Sequence, residues 1–302
     1  MCIRDSRRLV KAAYDGQRGI AGLYSKLYAG KYIFDASEAQ WFRFADVGWS
    51  KQVVAEQIKA FDPIQAAMKS AAIALEKQAA EESEAFDATD KSEAEIEAFK
   101  ERIKRLSSGS KALYAMVRNL SVLAFRRACL DFAACSGEWL AITGSEWDRD
   151  PWVLGCANGV LDLRTGTLRP GKPGDYIQAV CPFAFNPDAK APRWILFLEE
   201  IFDGDAEKVA YIQRLFGMGL IGDAEHKQYL VLLVGKGRNG KDTFLKVLNR
   251  VLGGDLCGKV GAGLLLDTGF MRSAGAPSPE IMDLRGKRLV YAAETGDGHA
   301  FD

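Results

Sequence analysis

Neither sign of charge is in excess in this sequence: Lys plus Arg and Asp plus Glu both number 40, so the formal net charge is zero. A neutral chain has no basic field to draw nucleic acid from a distance. If DNA is a partner, the contacts are local, in a loop or a channel lining. Metal-ligand spacing is missing too. The six cysteines, Cys2, Cys129, Cys135, Cys156, Cys181 and Cys257, include no pair separated by only two residues. The two histidines, His226 and His299, lie far from any cysteine pair. That pattern offers no zinc site. Scattered single cysteines fit a reducing cytoplasm better than a disulfide framework.

No apolar run approaches the length that spans a bilayer, so no membrane association is expected. The segment Met1 to Val10 has no apolar stretch after its charges, which argues against a secretory signal. There is no internal repeat and no low-complexity segment. The opening Met1-Cys2-Ile3-Arg4-Asp5-Ser6 reads as a truncation edge or a sequence-assembly scar. What remains is a chain of 302 residues, 48% of them hydrophobic. That is enough for about two domains, each able to bury a core.

Residues 32–49 are rich in aromatics (Tyr32, Phe34, Trp41, Phe42, Phe44, Trp49) and read as a β-hairpin with a packed face. From Ser50 to about Cys135 the pattern is helical. Ile64, Met68, Ala71, Ala72 and Leu75 share one helix face. Glu81 to Asp90 reads as a solvated acidic loop. Ser92 followed by Glu95 is a capping-box signal, opening a helix with Ile96, Phe99, Ile103 and Leu106 on one stripe. Ser107-Ser108-Gly109 is expected to end it, with Ser110 capping the next. Residues 158–169 form a hairpin in which Gly166 can take a positive φ. Pro192 suits the first turn of a helix containing Trp194, Phe197 and Ile201. Gly204 closes that helix, and Asp205 opens another through Tyr211 and Leu215.

The chemistry begins at Tyr229. Tyr229-Leu-Val-Leu-Leu-Val234 is a continuous apolar run of strand length, suited to a strand buried on both faces of a parallel sheet. Gly235-Lys236-Gly237-Arg238-Asn239-Gly240-Lys241 follows at once, and Asp242 to Leu252 reads as a helix stopped by Gly253-Gly254. Strand, glycine-rich loop, lysine and helix together form a phosphate cradle. Glycines let consecutive N–H groups point inward as an anion nest. The helix N-terminus adds positive partial charge, and Lys241 supplies a full charge for β- and γ-phosphates. Two rival readings stay open. Gly235, Gly237 and Gly240 also satisfy the dinucleotide fingerprint, although lysine follows the third glycine and no acidic-ended second strand follows at the right distance. The plain alternative is an ordinary glycine-rich turn.

The residue after the loop lysine is normally Ser or Thr, whose hydroxyl binds Mg²⁺. Here it is Asp242, with Thr243 next. A carboxylate is a good Mg²⁺ ligand and also complements the helix dipole. Thr243 takes the hydroxyl role if the loop register shifts. Further on, Arg288 to Ala293 reads as a strand leading to Glu294, which could position Mg²⁺ or a water.

These residues resemble a superfamily 3 helicase of the phage/plasmid primase–helicase family, shared by satellite phages and large DNA viruses. The loop at 235–241, Asn239 included, and Leu284-Arg-Gly-Lys-Arg-Leu-Val ending at Glu294-Thr295 carry the resemblance. So do Asn158-Gly-Val-Leu-Asp-Leu-Arg-Thr-Gly, the Trp194 helix and Tyr211-Ile-Gln-Arg-Leu-Phe-Gly upstream. The resemblance implies an α/β P-loop NTPase core, AAA+-like, C-terminally incomplete and preceded by a mostly helical α+β domain. The domains would be 1–31 as an N-terminal extension, 32–204 as the family's N-terminal domain with its helical region at 50–135, and 205–302 as a partial P-loop motor. It further implies a ring-forming, ATP-dependent DNA helicase, with Mg²⁺ as cofactor. It would be a hexamer moving 3′ to 5′ in phage, prophage or plasmid replication, in the cytoplasm of a bacterial host, with a primase upstream or separate. Gly235 to Thr243 would bind nucleotide. Lys241 and Glu294 would be catalytic, and Asp242, Thr243 and Glu294 would serve the metal. Family members continue into a pore hairpin, a sensor residue and an arginine finger, none of which precedes Asp302. The isolated chain is therefore expected not to unwind DNA. Two other functions stay open: a P-loop phosphotransferase, and a nucleotide-dependent oligomerisation or loader module without turnover.

Overall fold

The protein is described from a computed structural model that covers residues 5–135, 140–223, 229–235, 237–261, 281 and 283–292. It divides into two compact units, Met1–Arg43 with Ser50–Ser145 and Phe44–Trp49 with Glu146–Asp302.

The first unit opens on a pair of helices. Two helices, α1 (Ser6–Tyr14) and α2 (Gly16–Tyr28), precede the strands β1 (Tyr32–Asp35), β2 (Gln40–Ala45) and β3 (Gly48–Gln52). Asp5 caps α1 by accepting from the Arg7 N–H at 3.1 Å. Leu9, Ile20 and Tyr24 from these helices join one core with Ile64, Met68 and Leu113. The apolar faces of α1 and α2 thus complete the helical core. Tyr24 stacks on Phe61 with centroids 4.6 Å apart and donates to Gln57 Oε1 at 2.6 Å, so the ring's one polar atom is satisfied inside the core. The expected hairpin is present as β1 antiparallel to β2, and the sheet extends it in the order β3-β2-β1-β4, with β4 at Ala141–Ile142.

After α3 (Val54–Lys59) come two long helices, α4 (Asp62–Ala85) and α5 (Glu93–Leu120), then α6 (Leu123–Ala133). The Ser92–Glu95 capping box is formed. Two expectations are corrected. First, α4 runs on to Ala85 through Glu81, Glu82 and Glu84. Lys77 pairs with Glu81 one turn away at 3.5 Å, and Arg102 of α5 reaches Glu82 at 2.6 Å. The first half of the expected loop, to Ala85, is thus a paired helix surface rich in alanine, a good helix former, while residues 86–91 form the loop as expected. Second, α5 continues through Ser107-Ser108-Gly109 without a break. A Cβ on Gly109 would lie 3.3 Å from Val10 Cγ2 and 3.4 Å from Leu75 Cδ1, and buried Ser110 donates to the Ala72 carbonyl at 3.1 Å. Small residues here let helices approach rather than end. Gly109→Val is expected to cost about 2 kcal/mol by overpacking, read as a lower urea midpoint.

The second unit holds a sheet in the order β7-β6-β5-β8, built from β5 (Val153–Cys156), β6 (Gly159–Asp162), β7 (Thr167–Arg169) and β8 (Val180–Cys181). The β6–β7 hairpin turns at Gly166 with φ +70°. Helix α7 (Pro192–Ile201) begins on its proline, and α8 (Ala206–Met218) is capped by Asp205. Helix α9 (Lys241–Leu252) precedes β9 (Cys257–Val260), which pairs in parallel with β10 (Leu289–Ala292). The run 229–234 does not form the expected strand. All of its side chains but the half-buried Leu233 are exposed, Val234 to 90%. A parallel strand needs a hydrogen-bonded neighbour, and among the described residues no ladder engages this run. No described helix is long and apolar enough to cross a membrane.

Candidate functional site

Helix α9 is fixed at both ends, and this sets where its first turn points. At its C-terminal end, Leu252 joins Leu256 and Cys257 against Leu154, Leu161 and Cys181 of the sheet. Gly253 takes φ +79°, and its N–H caps the helix on the Asn249 carbonyl. A Cβ there would meet Pro182 Cδ at 2.7 Å. At its N-terminal end, buried Phe244 stacks on Trp194 at 5.5 Å and meets Phe216 edge-on at 4.8 Å. Acidic Asp242 in the first turn and basic Arg250 in the last complement the helix dipole.

The glycine-rich loop is shaped by two close approaches. Gly240, at φ +85°, lies against α7: a Cβ would be 2.7 Å from Ile201 Cγ2 and 3.2 Å from Phe197 Cε2. Gly235 lies under Asn239, where a Cβ would be 2.0 Å from Asn239 Nδ2. Arg238 carries φ +63°, a conformation that costs a non-glycine residue about 1–2 kcal/mol. Gly237, by contrast, has open space where a Cβ would go. We therefore expect Gly240→Ala to cost about 2–3 kcal/mol, combining left-handed strain with overlap. Gly237→Ala should stay within about 0.5 kcal/mol. Urea denaturation of both variants checks the contrast.

Lys241 folds back over this loop. Its Nζ donates to the Gly235 carbonyl at 3.1 Å and to Asn239 Oδ1 at 2.7 Å. The ammonium is thus held among loop oxygens, on an exposed surface. Asp242 and Thr243 are both exposed in the first turn of α9, so a carboxylate and a hydroxyl, both suited to a hard cation, stand beside the lysine. A cavity of about 480 Å³ adjoins the loop, lined by Tyr211, Leu215, Asn239, Lys241 and Phe244 together with the 229–234 run. Gly235, Gly237, Arg238, Asn239, Gly240, Lys241, Asp242 and Thr243 therefore lie on one loop and helix start. Lys236 and Glu294 lie outside the described residues. The strand expected before Glu294 is present as β10, and α9 and β9 occupy the interval between loop and strand. Among the described residues, no cluster of His, Cys, Asp and Glu could hold a metal by itself.

Sequence reasoning gave Arg288 no role, yet the structure does. At the entry to β10 its guanidinium donates to the carbonyls of Pro151 at 3.4 Å, Val153 at 2.5 Å and Leu220. One side chain thereby ties β10 to the start of β5 and to the segment after α8. Burial pulls the Arg288 pKa below its usual value, with Asp148 and Asp150 opposing. Burial pushes the Asp148 carboxyl up, opposed by the N–H groups of Gln178 and Ala179 and by Arg288. The only sequence signal was an arginine opening an apolar strand. Phe197 and Ile201, which shape the loop at Gly240, were read only as helix residues, because their contact spans about forty residues of chain.

The candidate helicase L207/L206 of Acanthamoeba polyphaga mimivirus is 30% identical over 145 residues, covering 47% of this chain and 15% of its own length. The candidate primase C962R of African swine fever virus (isolate Warthog/Namibia/Wart80/1980) is 30% identical over 157 residues, 49% of this chain and 16% of its own. The candidate helicase 121R of Invertebrate iridescent virus 3 is 22% identical over 144 residues, 46% of this chain and 15% of its own. The chain thus matches only about a sixth of each relative. A family model described as D5 N terminal like matches residues 21–203. The match ends before the glycine-rich loop but covers well over half of the sequence, and by it the chain belongs to the D5 N terminal like family.

Proposed function

We propose that this chain is part of a superfamily 3, ATP-dependent DNA helicase that acts in viral, phage or plasmid DNA replication. The observation that carries the reading is Lys241. Its ammonium sits at the N-terminus of α9, held by the Gly235 carbonyl and Asn239 Oδ1, two weak acceptors that phosphate oxygens can replace. Phosphate oxygens carry full negative charge where the loop acceptors carry only partial charge, so Coulomb attraction to the ammonium makes the exchange favour a bound nucleotide. The loop N–H groups and the dipole of α9 add to the same potential. The names of the three viral relatives, two helicases and a primase, fit that reading.

In this reading the core is a P-loop NTPase fold, and the 229–234 run becomes a third parallel strand beside β10. Tyr229 and Val231 already line a cavity of about 440 Å³ with Leu289 and Val290, so the two edges face one space. Asp242 and Thr243 would hold Mg²⁺, which would neutralise phosphate charge and orient the terminal phosphate. Lys241 binds the phosphates. Glu294, following β10, would act with the metal and orient the attacking water. DNA would be the partner and a ring of identical subunits the assembly, with a primase as a further partner.

ATP hydrolysis with and without single-stranded DNA tests this, on the protein expressed from its natural locus, beside gel filtration with and without nucleotide. The helicase reading expects DNA to raise turnover several-fold and nucleotide to promote assembly. Turnover indifferent to DNA favours a phosphotransferase instead. Assembly with nucleotide but no turnover favours a loader, a reading that Asp242 in place of the usual hydroxyl residue keeps open.

A further inference from the structure

The sheet of the second unit places two cysteines side by side. Strands β5 and β8 are parallel neighbours, and their register sets Cys156 directly opposite Cys181. Side chains at paired positions leave a sheet on the same face, and both residues are buried in the same core, beside Leu252 and Leu256. The Cys156 thiol approaches the Leu154 carbonyl at 4.0 Å, and the neighbouring Cys181 thiol is close enough to disfavour its ionisation. Paired backbones in a sheet lie about 4.8 Å apart, inside the roughly 4.4–6.8 Å between Cα atoms that a disulfide spans. The other buried cysteines lack this arrangement. Cys257 sits opposite Leu289 across the β9–β10 pair, and Cys129 lies in the other unit's helical core.

We propose that Cys156 and Cys181 are a disulfide-forming modification site, oxidised by low-molecular-weight disulfides of the glutathione class. One thiolate attacks the oxidant's S–S bond, expelling one thiol and leaving a mixed disulfide. The second thiolate then displaces the remaining thiol. Two protein S–H groups become one S–S bond, and the oxidant's S–S bond becomes two S–H groups, so electrons and protons balance. Burial, with Cys181 adding to it, pushes the Cys156 thiol up to about 11, so the first attack is slow and waits on local opening of the sheet. The ring closure is then favoured, because the second sulfur already stands at the first.

The site is tied to α9. The Cys181 thiol donates to the Val251 carbonyl at 3.1 Å, in the last turn of the helix whose first residue is Lys241. Oxidation consumes that proton and frees the carbonyl, so the disulfide alters the anchored end of α9. This consequence touches the proposed nucleotide site, whereas the disulfide itself does not depend on that proposal.

The test is thiol mapping by mass spectrometry. The full chain is incubated with oxidised glutathione, unreacted thiols are blocked under denaturing conditions, and peptides are identified. The expected product is a Cys156–Cys181 linked peptide, with Cys135 glutathionylated and Cys129 and Cys257 free. In Cys181→Ser, Cys156 should be found as free thiol or as a glutathione adduct, with no linked peptide. The proposal is overturned if Cys135 is fully modified while Cys156 and Cys181 both stay free, or if either pairs with Cys257 instead. If the serine variant fails to fold, the wild-type map alone decides between these outcomes. A fluorescent-nucleotide titration on the oxidised chain is a separate readout, and its failure leaves the disulfide assignment standing.

Discussion

Replacing Arg288 with alanine is expected to destabilise the second unit by about 3 kcal/mol. The guanidinium serves three backbone carbonyls, those of Pro151, Val153 and Leu220. Hydrogen bonds from a charged donor contribute about 1.5–3 kcal/mol each, with partial overlap where they share one group. Alanine removes the guanidinium from all three carbonyls and leaves Pro151 only the Gly222 N–H at 3.0 Å, and the half-buried position limits how far water can replace the lost bonds. Lysine keeps the charge but not the planar fork, so Arg288→Lys should recover only a minor part of the loss. Arg193 offers the contrast. It pairs with Glu200 at 3.3 Å with both side chains largely exposed, so Arg193→Ala should cost less than about 1 kcal/mol. Urea denaturation of the three variants separates these values.

The Arg288 effect also depends on pH. Burial raises the Asp148 carboxyl, and Arg288 is among the influences that hold it down. Without Arg288 that pKa rises further. A carboxyl whose folded pKa lies above its unfolded value stabilises the fold at low pH and loses that contribution as pH rises through the folded pKa. The Arg288→Ala deficit should therefore be larger at neutral pH than below the ordinary carboxylate range. A deficit independent of pH would mean that Arg288 acts through the carbonyls alone.

What the sequence made legible was local. The Ser92–Glu95 capping box, the turn at Gly166, the proline start of α7 and the Asp205 cap of α8 are each decided within a few residues. In each, the side chain and the backbone it serves are neighbours in the chain. The glycine-rich loop and the start of α9 were legible for the same reason. What the sequence did not make legible depends on distant partners. Ser107-Ser108-Gly109 looks like a helix stop until Val10 and Leu75 are placed against Gly109. Residues 6–28 look detachable until Tyr24 finds Gln57 and Phe61. The run 229–234 has strand composition, but strand formation is a property of a pair, and composition does not name the neighbour. Its exposure is the clearest difference between sequence expectation and structure. Arg288 combines both problems, a local arginine whose partners lie over sixty residues away.

The loop lysine carries the central claim and the second large effect. Lys241→Ala removes the only described side-chain cation that reaches Gly235 and Asn239 together, and leaves the fold of α9 to its apolar anchors at Phe244 and Leu252. Alanine is a good helix former, so stability should change little while phosphate affinity falls. The decisive measurement is a titration of a fluorescent ATP analogue with Mg²⁺, on this chain and on Lys241→Ala, with circular dichroism to confirm that both are folded. The phosphate-site account predicts saturable binding by the chain and an affinity lower by tenfold or more in the variant, about 1.4 kcal/mol. Equal affinity in the two folded proteins, or no binding by either, would contradict it.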